Sequence, residues 1–314
     1  MIDVAGASTG GAARWRREAQ EWVAHHSSMD VRLIGQEQRV EPIWLARREL
    51  LGRGQRRIAA NNVSFVSGKG LRIVLLRSAL HFLRDGEVQR LPGLPRGLAL
   101  QVPIVRAAAR RADLVVVPCT DMLERVLAAT PDLRSRIRVR HHPVTVRCPR
   151  RVYTGSAYLL YPSLPASHKD LVGNLRFLLD AMRVADSPLQ VRITTTEEPL
   201  GDLHRDPRVV VLGSQTLNGM DRLWAEAAAV YVPGEVESFG YPVAEARAIG
   251  LPVLAVDNAQ NREIGADALV GYHSADVNSL ANAIALAVVH DLTPDPTPFD
   301  PDAYFRWLVS TSIP

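Results

Sequence analysis

Two glutamates, Glu237 and Glu245, bracket the part of this sequence best equipped for chemistry. Glu237 follows a strand-like run, Val230-Tyr231-Val232, and a Pro233-Gly234 turn; Glu245 lies within a helix expected from Tyr241 to Ile249 and closed by Gly250. Between them, Ser238-Phe239-Gly240-Tyr241 presents consecutive backbone N–H groups at a helix N-terminus. Four such groups lack intrahelical partners and the helix dipole favours negative charge there, so the loop suits a phosphate. Gly240 lets the backbone come close to a ligand. A carboxylate at the loop edge can accept hydrogen bonds from sugar hydroxyls, and the second can do so from a ribose diol. Standing alone, the pair reads more readily as two ordinary glutamates, one of them on an amphipathic helix.

Other chemistries find little support. Gly6-Ala7-Ser8-Thr9-Gly10-Gly11 fills the first strand–helix turn, but it is not G-x-G-x-x-G. No acidic residue ends the second strand, so a nicotinamide cofactor is disfavoured. Two cysteines, Cys119 and Cys148, cannot form a disulfide framework, and no His/Cys cluster has zinc-ligand spacing. The segment between the two glutamates and around Lys169 carries no D-x-D metal signature, and no cofactor is expected. Nothing approaches the length of an apolar membrane span, and Met1-Ile2-Asp3-Val4 lacks a secretory n-region and h-region. A reducing cytoplasm is the expected compartment.

The elements that must position these residues alternate along the chain. The 314 residues, 47% hydrophobic and 22% charged, suffice for two globular domains. In the first half, Ile2–Ala5, Met29–Ile34, Ile73–Leu76, Leu114–Val117 and Ile137–Val139 read as strands, with helices from Ala12 to about His25 and from Cys119-Thr120 to Leu127. In the second half strands are expected at Tyr158–Tyr161, Gln190–Thr194, Val209–Val211, Val230–Val232 and Pro252–Val256. Between them come helices at Leu171–Val184, with apolar residues at 171, 172, 175, 178, 179 and 182, and at Asp221–Ala229. A further helix, Ser279–Val289, opens at an Asp276/Ser279 cap. This pattern is α/β, two doubly wound parallel sheets. The expected domains are 1–148 and 149–291, with 292–314 a Pro-rich linker and terminal helix crossing back to the first domain.

Charge divides the same way. Residues 1–150 hold 26 basic against 13 acidic residues, a net +13, whereas residues 151–314 hold 11 against 20, a net −9. Such asymmetry reads either as one half meeting an anionic surface or partner, or as an arginine-rich composition with a solvated basic face.

The run from Val209 through Gly213 and Leu217, Leu223–Pro233, Glu237–Ala255 and Asn261-Arg262-Glu263-Ile264-Gly265 resembles the C-terminal domain of retaining glycosyltransferases of family four, the glycosyl transferases group 1. Glu237 and Glu245 meet that family's E-x7-E motif and Phe239-Gly240 its aromatic–glycine step. Ala112–Pro118 is similar to its last N-domain strand. The resemblance covers about 105–290 well and the first hundred residues loosely. It implies a GT-B fold, two facing Rossmann-like domains with a cleft between them.

It also implies roles. Glu237 would contact the hexose hydroxyls, Glu245 the nucleotide ribose, and the N–H groups of Phe239, Gly240 and Tyr241, beside Ser238, the sugar and diphosphate. Lys169 sits where the family places its phosphate-binding lysine. The arginine that usually precedes it is missing from Tyr161–Lys169. Ser163 and His168, or an N-domain arginine reaching across the cleft, would have to substitute. Base contacts would fall around Gly213–Leu217. Gly10 and Gly11 resemble the family's glycine-rich loop, although a plain tight turn is an equal reading. The family's cleft-facing histidine has His81 as its only histidine candidate here, although Arg77 or Ser78 lies closer to the expected position.

The implied reaction is transfer of a hexose-type sugar from a nucleotide-diphosphate donor, with retention and without a metal. The acceptor would be a glycan, lipid-linked or natural-product hydroxyl, and the basic half could touch an anionic membrane peripherally on the cytoplasmic face. Rival readings are a GT-B nucleotide-sugar hydrolase or epimerase, and a non-catalytic basic binder of anionic lipid or nucleic acid; nucleic acid is not favoured.

Overall fold

The computed structural model describes residues 1–51, 55–147, 158–163 and 166–312. The expected domain boundary at 148/149, and Cys148 with it, lies outside the described residues.

The first domain carries six short parallel strands: β1 (Ile2–Asp3), β2 (Leu33–Ile34), β3 (Arg57–Ala59), β4 (Arg72–Leu75), β5 (Leu114–Val117) and β6 (Ile137–Val139). Their order is β2-β1-β3-β4-β5-β6. Helices α1 (Gly10–His25), α2 (Pro42–Arg48), α3 (Glu87–Arg90), α4 (Leu98–Ala109) and α5 (Thr120–Ala129) make the crossovers. The second domain repeats the design with β7 (Tyr158–Tyr161), β8 (Gln190–Ile193), β9 (Val209–Val211), β10 (Ala229–Val232), β11 (Val253–Val256) and β12 (Leu269–Tyr272), ordered β12-β11-β10-β7-β8-β9. Its helices are α6 (Leu171–Val184), α7 (Leu217–Glu226), α8 (Tyr241–Ile249), α9 (Ala259–Gly265) and α10 (Val277–Val289). The aliphatic strands β5, β7 and β10 are covered on both faces, which is why they read as unbroken apolar runs. Among the described residues no helix is long and apolar enough to cross a membrane.

Several elements differ from expectation. Only Leu33–Ile34 of the Met29–Ile34 run is strand, because its partner β1 offers two residues to pair. The helix expected at Asp221–Ala229 starts and ends earlier. Thr216 caps it by accepting from the Gly219 N–H at 3.1 Å, and Ala229 is claimed by β10, opposite Leu159. Asp276 caps α10 as expected, accepting from the Ser279 N–H at 3.0 Å. A last helix, α11 (Pro301–Ser310), packs on α1 of the first domain. Trp15 Nε1 donates to the Tyr304 hydroxyl at 3.2 Å, and Trp22 Nε1 to Asp302 at 3.0 Å.

The first domain also holds charge inside. Asp3 is fully buried at the end of β1. It accepts from the Ala5 N–H (3.0 Å), Trp44 Nε1 (3.2 Å), Asn61 Nδ2 (2.8 Å) and Arg48 Nη1. Arg48 in turn donates to the carbonyls of Val63 and Ser64, at 2.6 and 2.9 Å, and its guanidinium lies 4.4 Å from the Phe65 ring centre. A buried ion pair is worth little against an apolar replacement of both partners, but removing one leaves a stranded charge. Arg48→Met should therefore lower stability by about 3–5 kcal/mol. Urea unfolding followed by tryptophan fluorescence measures this; a loss below about 1 kcal/mol would show that Asp3 is solvated some other way.

Candidate active site

In open parallel sheets the crevice forms where strand order reverses, beyond the carboxyl ends of the strands. In the second sheet that point lies between β7 and β10; in the first it lies between β1 and β3. These two crevices face each other and share one cavity of about 1240 Å³.

From β7 the chain passes through Ser163 to Lys169, just before α6. From β10 it passes through Glu237 to Gly240, which caps α8 in the left-handed region at φ 78°. Lys169 Nζ donates to Glu237 Oε1 at 2.7 Å, so two residues 68 positions apart meet at the crevice. The Glu237 charge raises the lysine pKa against the opposing effect of burial, and Lys169 remains an ammonium. Ser163 is buried in the same wall, its N–H donating to Thr194 Oγ1 at 3.1 Å. Ser238, Phe239, Gly240, Tyr241 and Leu217 also line the cavity.

The first domain closes the other side. Gly10 (φ 56°) and Gly11 open α1 and line the cavity; a Cβ on Gly11 would come within 3.1 Å of the Tyr241 ring. Glu245 is not a free carboxylate, because Arg14 on α1 reaches across and places Nε 2.9 Å from its Oε1. Burial raises the Glu245 pKa, with Arg14 acting against that rise. The Phe239 ring is 2% exposed and packs between the domains, 5.0 Å from His142 and 6.0 Å from Phe299. Ser238 O accepts from the buried Cys119 Sγ at 3.3 Å. Glu263 on α9 accepts from the Thr120 N–H at the start of α5 (2.9 Å) and lies 3.0 Å from His141 Nε2. Burial raises the Glu263 pKa, but these contacts outweigh it and leave the carboxyl below its usual range. Burial pushes the Cys119 thiol up to about 12, so it stays protonated.

His81 is not among the cavity-lining residues and is withdrawn as a catalytic candidate. It sits buried in a 3-10 turn (Ala79–Phe82) with Nε2 3.3 Å from Gln101 Oε1, and its carbonyl accepts from Arg106. The turn after β4 carries Arg77 into the wall in its place, with its N–H donating to Asn62 Oδ1 at 2.6 Å. Asn62 holds φ 66°, a conformation asparagine tolerates better than most residues.

Arg77 stands where the motif reading set it, near the position of the family's cleft-facing histidine, whereas Arg14, Arg17, Arg147 and His142 are cavity residues that it did not assign. Their only signal was the basic excess of the first half, together with the helical spacing of Arg14 and Arg17. Among the described residues no cluster of three or more His, Cys, Asp or Glu side chains could hold a metal ion.

His142 stacks on Tyr241 at 5.8 Å, with neither ring nitrogen hydrogen-bonded. Burial first, then Arg77 and His141, depress its pKa well below the ordinary value. In the unfolded chain this histidine gains its proton near pH 6.5, while the folded state still excludes it. Stability is therefore unaffected above that value and lost as pH falls below it. Urea unfolding of the wild type between pH 7.5 and 5 should lose up to about 1.4 kcal/mol per pH unit more than His142→Phe. Parallel profiles would mean that the ring is protonated in the fold.

The family description "Glycosyl transferases group 1" matches residues 166–289. The fold is similar to that of WaaG, a glycosyltransferase involved in lipopolysaccharide biosynthesis, with a TM-score of 0.67 at 13% identity over 99% of this chain and 95% of that one. It is similar to sucrose-phosphate synthase from Thermosynechococcus elongatus, with a TM-score of 0.64 at 15% identity, covering 98% and 95%. Anabaena HepE, in complex with UDP and glucose, gives 0.64 at 15% identity, covering 98% and 97%. Comparison with curated proteins finds no match by sequence. The two facing parallel sheets are the GT-B fold, and residues 166–289 form a group 1 glycosyltransferase domain.

Proposed function

We propose that the protein transfers a hexose-type sugar from a nucleotide-diphosphate donor to an acceptor hydroxyl, with retention at the anomeric carbon. The observation that carries this reading is the meeting of Lys169 and Glu237 at 2.7 Å, beside the N-terminus of α8 and at the reversal point of the group 1 domain. HepE, of similar fold, is in complex with UDP and glucose, in keeping with such a donor.

The donor diphosphate lies against the N–H groups of Phe239, Gly240 and Tyr241, with the Lys169 ammonium beside it. Glu237 accepts from hexose hydroxyls and Glu245 from the ribose. The acceptor oxygen bonds to the anomeric carbon on the face the diphosphate leaves. The carbon–oxygen bond to the diphosphate breaks with its electron pair, and the acceptor proton passes to a diphosphate oxygen. Charge grows on the diphosphate as this bond lengthens, so a fixed ammonium and oriented N–H groups stabilise the transition state more than the ground state. With these groups in place the reading requires no metal. In place of the arginine missing near Lys169, Ser163 and His168, which line the same wall, supply the further donors to the diphosphate. The same reading places the reaction in the reducing cytoplasm, where a buried thiol such as Cys119 persists.

A thermal-shift screen of UDP-, GDP- and ADP-sugars should find a stabilising donor, with the shift reduced in Lys169→Ala and Glu245→Ala. With that donor, Lys169→Ala should lower kcat about 100-fold, the scale of losing one oxyanion-stabilising donor. No shift with any nucleotide sugar, or full shifts in both variants, would sink the assignment. Sugar release at full rate without acceptor would make the enzyme a hydrolase instead.

A further inference from the structure

Most cations lining the cavity are already matched by carboxylates. Lys169 holds Glu237 at 2.7 Å. Arg14 lies between Glu245 (2.9 Å) and Glu18 (3.4 Å). Arg147 takes both oxygens of Glu21 at 2.6 Å, and Arg90 lies 3.7 Å from Glu235.

Arg17 and Arg77 are the exceptions, with no carboxylate partner among the described residues. Arg17 stands on α1 one turn before Glu21, whose oxygens are engaged by Arg147. Its Nε is buried without a hydrogen-bond partner. Burial first, then the like charges of Arg14 and Arg147, lower its pKa. Arg77 donates through Nη2 to the Ala60 carbonyl and lies 5.0 Å from the Trp15 ring centre, but its Nε and Nη1 have no partner. Both are arginines, which stay charged under any ordinary desolvation. Both side chains are partly buried, Arg17 in the field of Glu245 and Glu18 but in no ion pair, and desolvating such charges is costly, so a site that keeps two of them suits an anion.

Their placement says which anion. The diphosphate site proposed above lies on the second domain, at Lys169 and the N-terminus of α8. Arg17 and Arg77 stand on the first domain, on α1 and beyond β4, the wall from which an acceptor would approach. We infer that the cavity holds a second anion subsite at Arg17 and Arg77, and that the acceptor is a hydroxyl compound bearing a phosphate or carboxylate group. The inference rests on the transferase reading for the word acceptor, but the subsite itself does not. Guanidinium groups suit either anion because their planar N–H forks match paired oxygens. An acceptor so held has its hydroxyl oriented by the charged end of the molecule, which lowers the entropic barrier to transfer.

Calorimetric titration of the full chain, first with UDP, GDP and ADP and then with the best of them saturating, separates the two sites. Under saturation, sn-glycerol 3-phosphate or glycerate should bind and glycerol should not; which of the two binds more tightly distinguishes phosphate from carboxylate. Affinity should fall with added salt. Arg17→Gln and Arg77→Gln should each weaken it at least tenfold, Arg17→Lys should weaken it less, and nucleotide affinity should stay within twofold in all three. Absence of anion binding, or binding unchanged in both glutamine variants, overturns the inference. So does competition by the nucleotide, which would assign the arginines to the donor diphosphate. If no nucleotide binds but sn-glycerol 3-phosphate does so through Arg17, the subsite stands and the transferase reading falls.

Discussion

The loop from Pro233 to Gly240 belongs to one domain and is held in place by the other. Its Ser238 carbonyl accepts from Cys119, its Phe239 ring is packed against His142 and Phe299, and the helix it starts is tied to α1 by Arg14 and Glu245. A loop after a parallel strand has no ladder of its own to fix it. Here Ser238 and Phe239 take their positions from contacts across the cleft, while the Glu237 carboxylate is held by Lys169 of its own domain. Glu263 adds a second tie by accepting from the first N–H of α5, where the helix dipole favours a negative charge. The cavity between the domains exists because the two sheets face each other across it.

Electrostatics in the cavity follows from the same closure. A lysine and a glutamate from separate loops neutralise each other, as do an arginine of one domain and a glutamate of the other. Lys169 stays charged beside Glu237, whereas burial raises the Glu245 pKa in spite of Arg14. On the proposed reading, a diphosphate meeting Lys169 would compete with Glu237 for the ammonium, and a ribose meeting Glu245 would compete with Arg14. Ligand binding would then be an exchange of partners within a preformed site, with little charge to desolvate at the moment of reaction.

The basic excess of the first half divides into two uses. Arg48 and Arg125 are spent inside the domain, the first on Asp3 and the second on Glu87 and Asp121, at 2.6 and 2.5 Å. Arg57 is buried at the edge of β3, 3.7 Å from Glu49 and 5.2 Å from the Phe65 ring. Others line the cavity. Net charge counted along the chain cannot separate these uses, because burial and pairing are decided by residues far apart in sequence.

Where a segment's own residues carry its fold, the sequence was sufficient. β5, α6 and α8 read correctly because an aliphatic run, a 3.6-residue apolar repeat and a glycine stop are local signals. β3 did not: Arg57-Ile58-Ala59 lacks an apolar run, since its first residue is a buried arginine that lies near Glu49 and Phe65 with no hydrogen bond from its guanidinium. α4 carries Pro103 within it, which hides a helix held by packing. For the site, the two-glutamate segment and Lys169 were legible from residue type and spacing, and the tertiary structure brought them to one crevice. It also removed His81, which packs on Gln101, chose Arg77 for its place and supplied Arg17 and His142. Chemistry confined to one loop or helix is written in neighbouring residues, whereas the wall opposite it depends on how two domains meet.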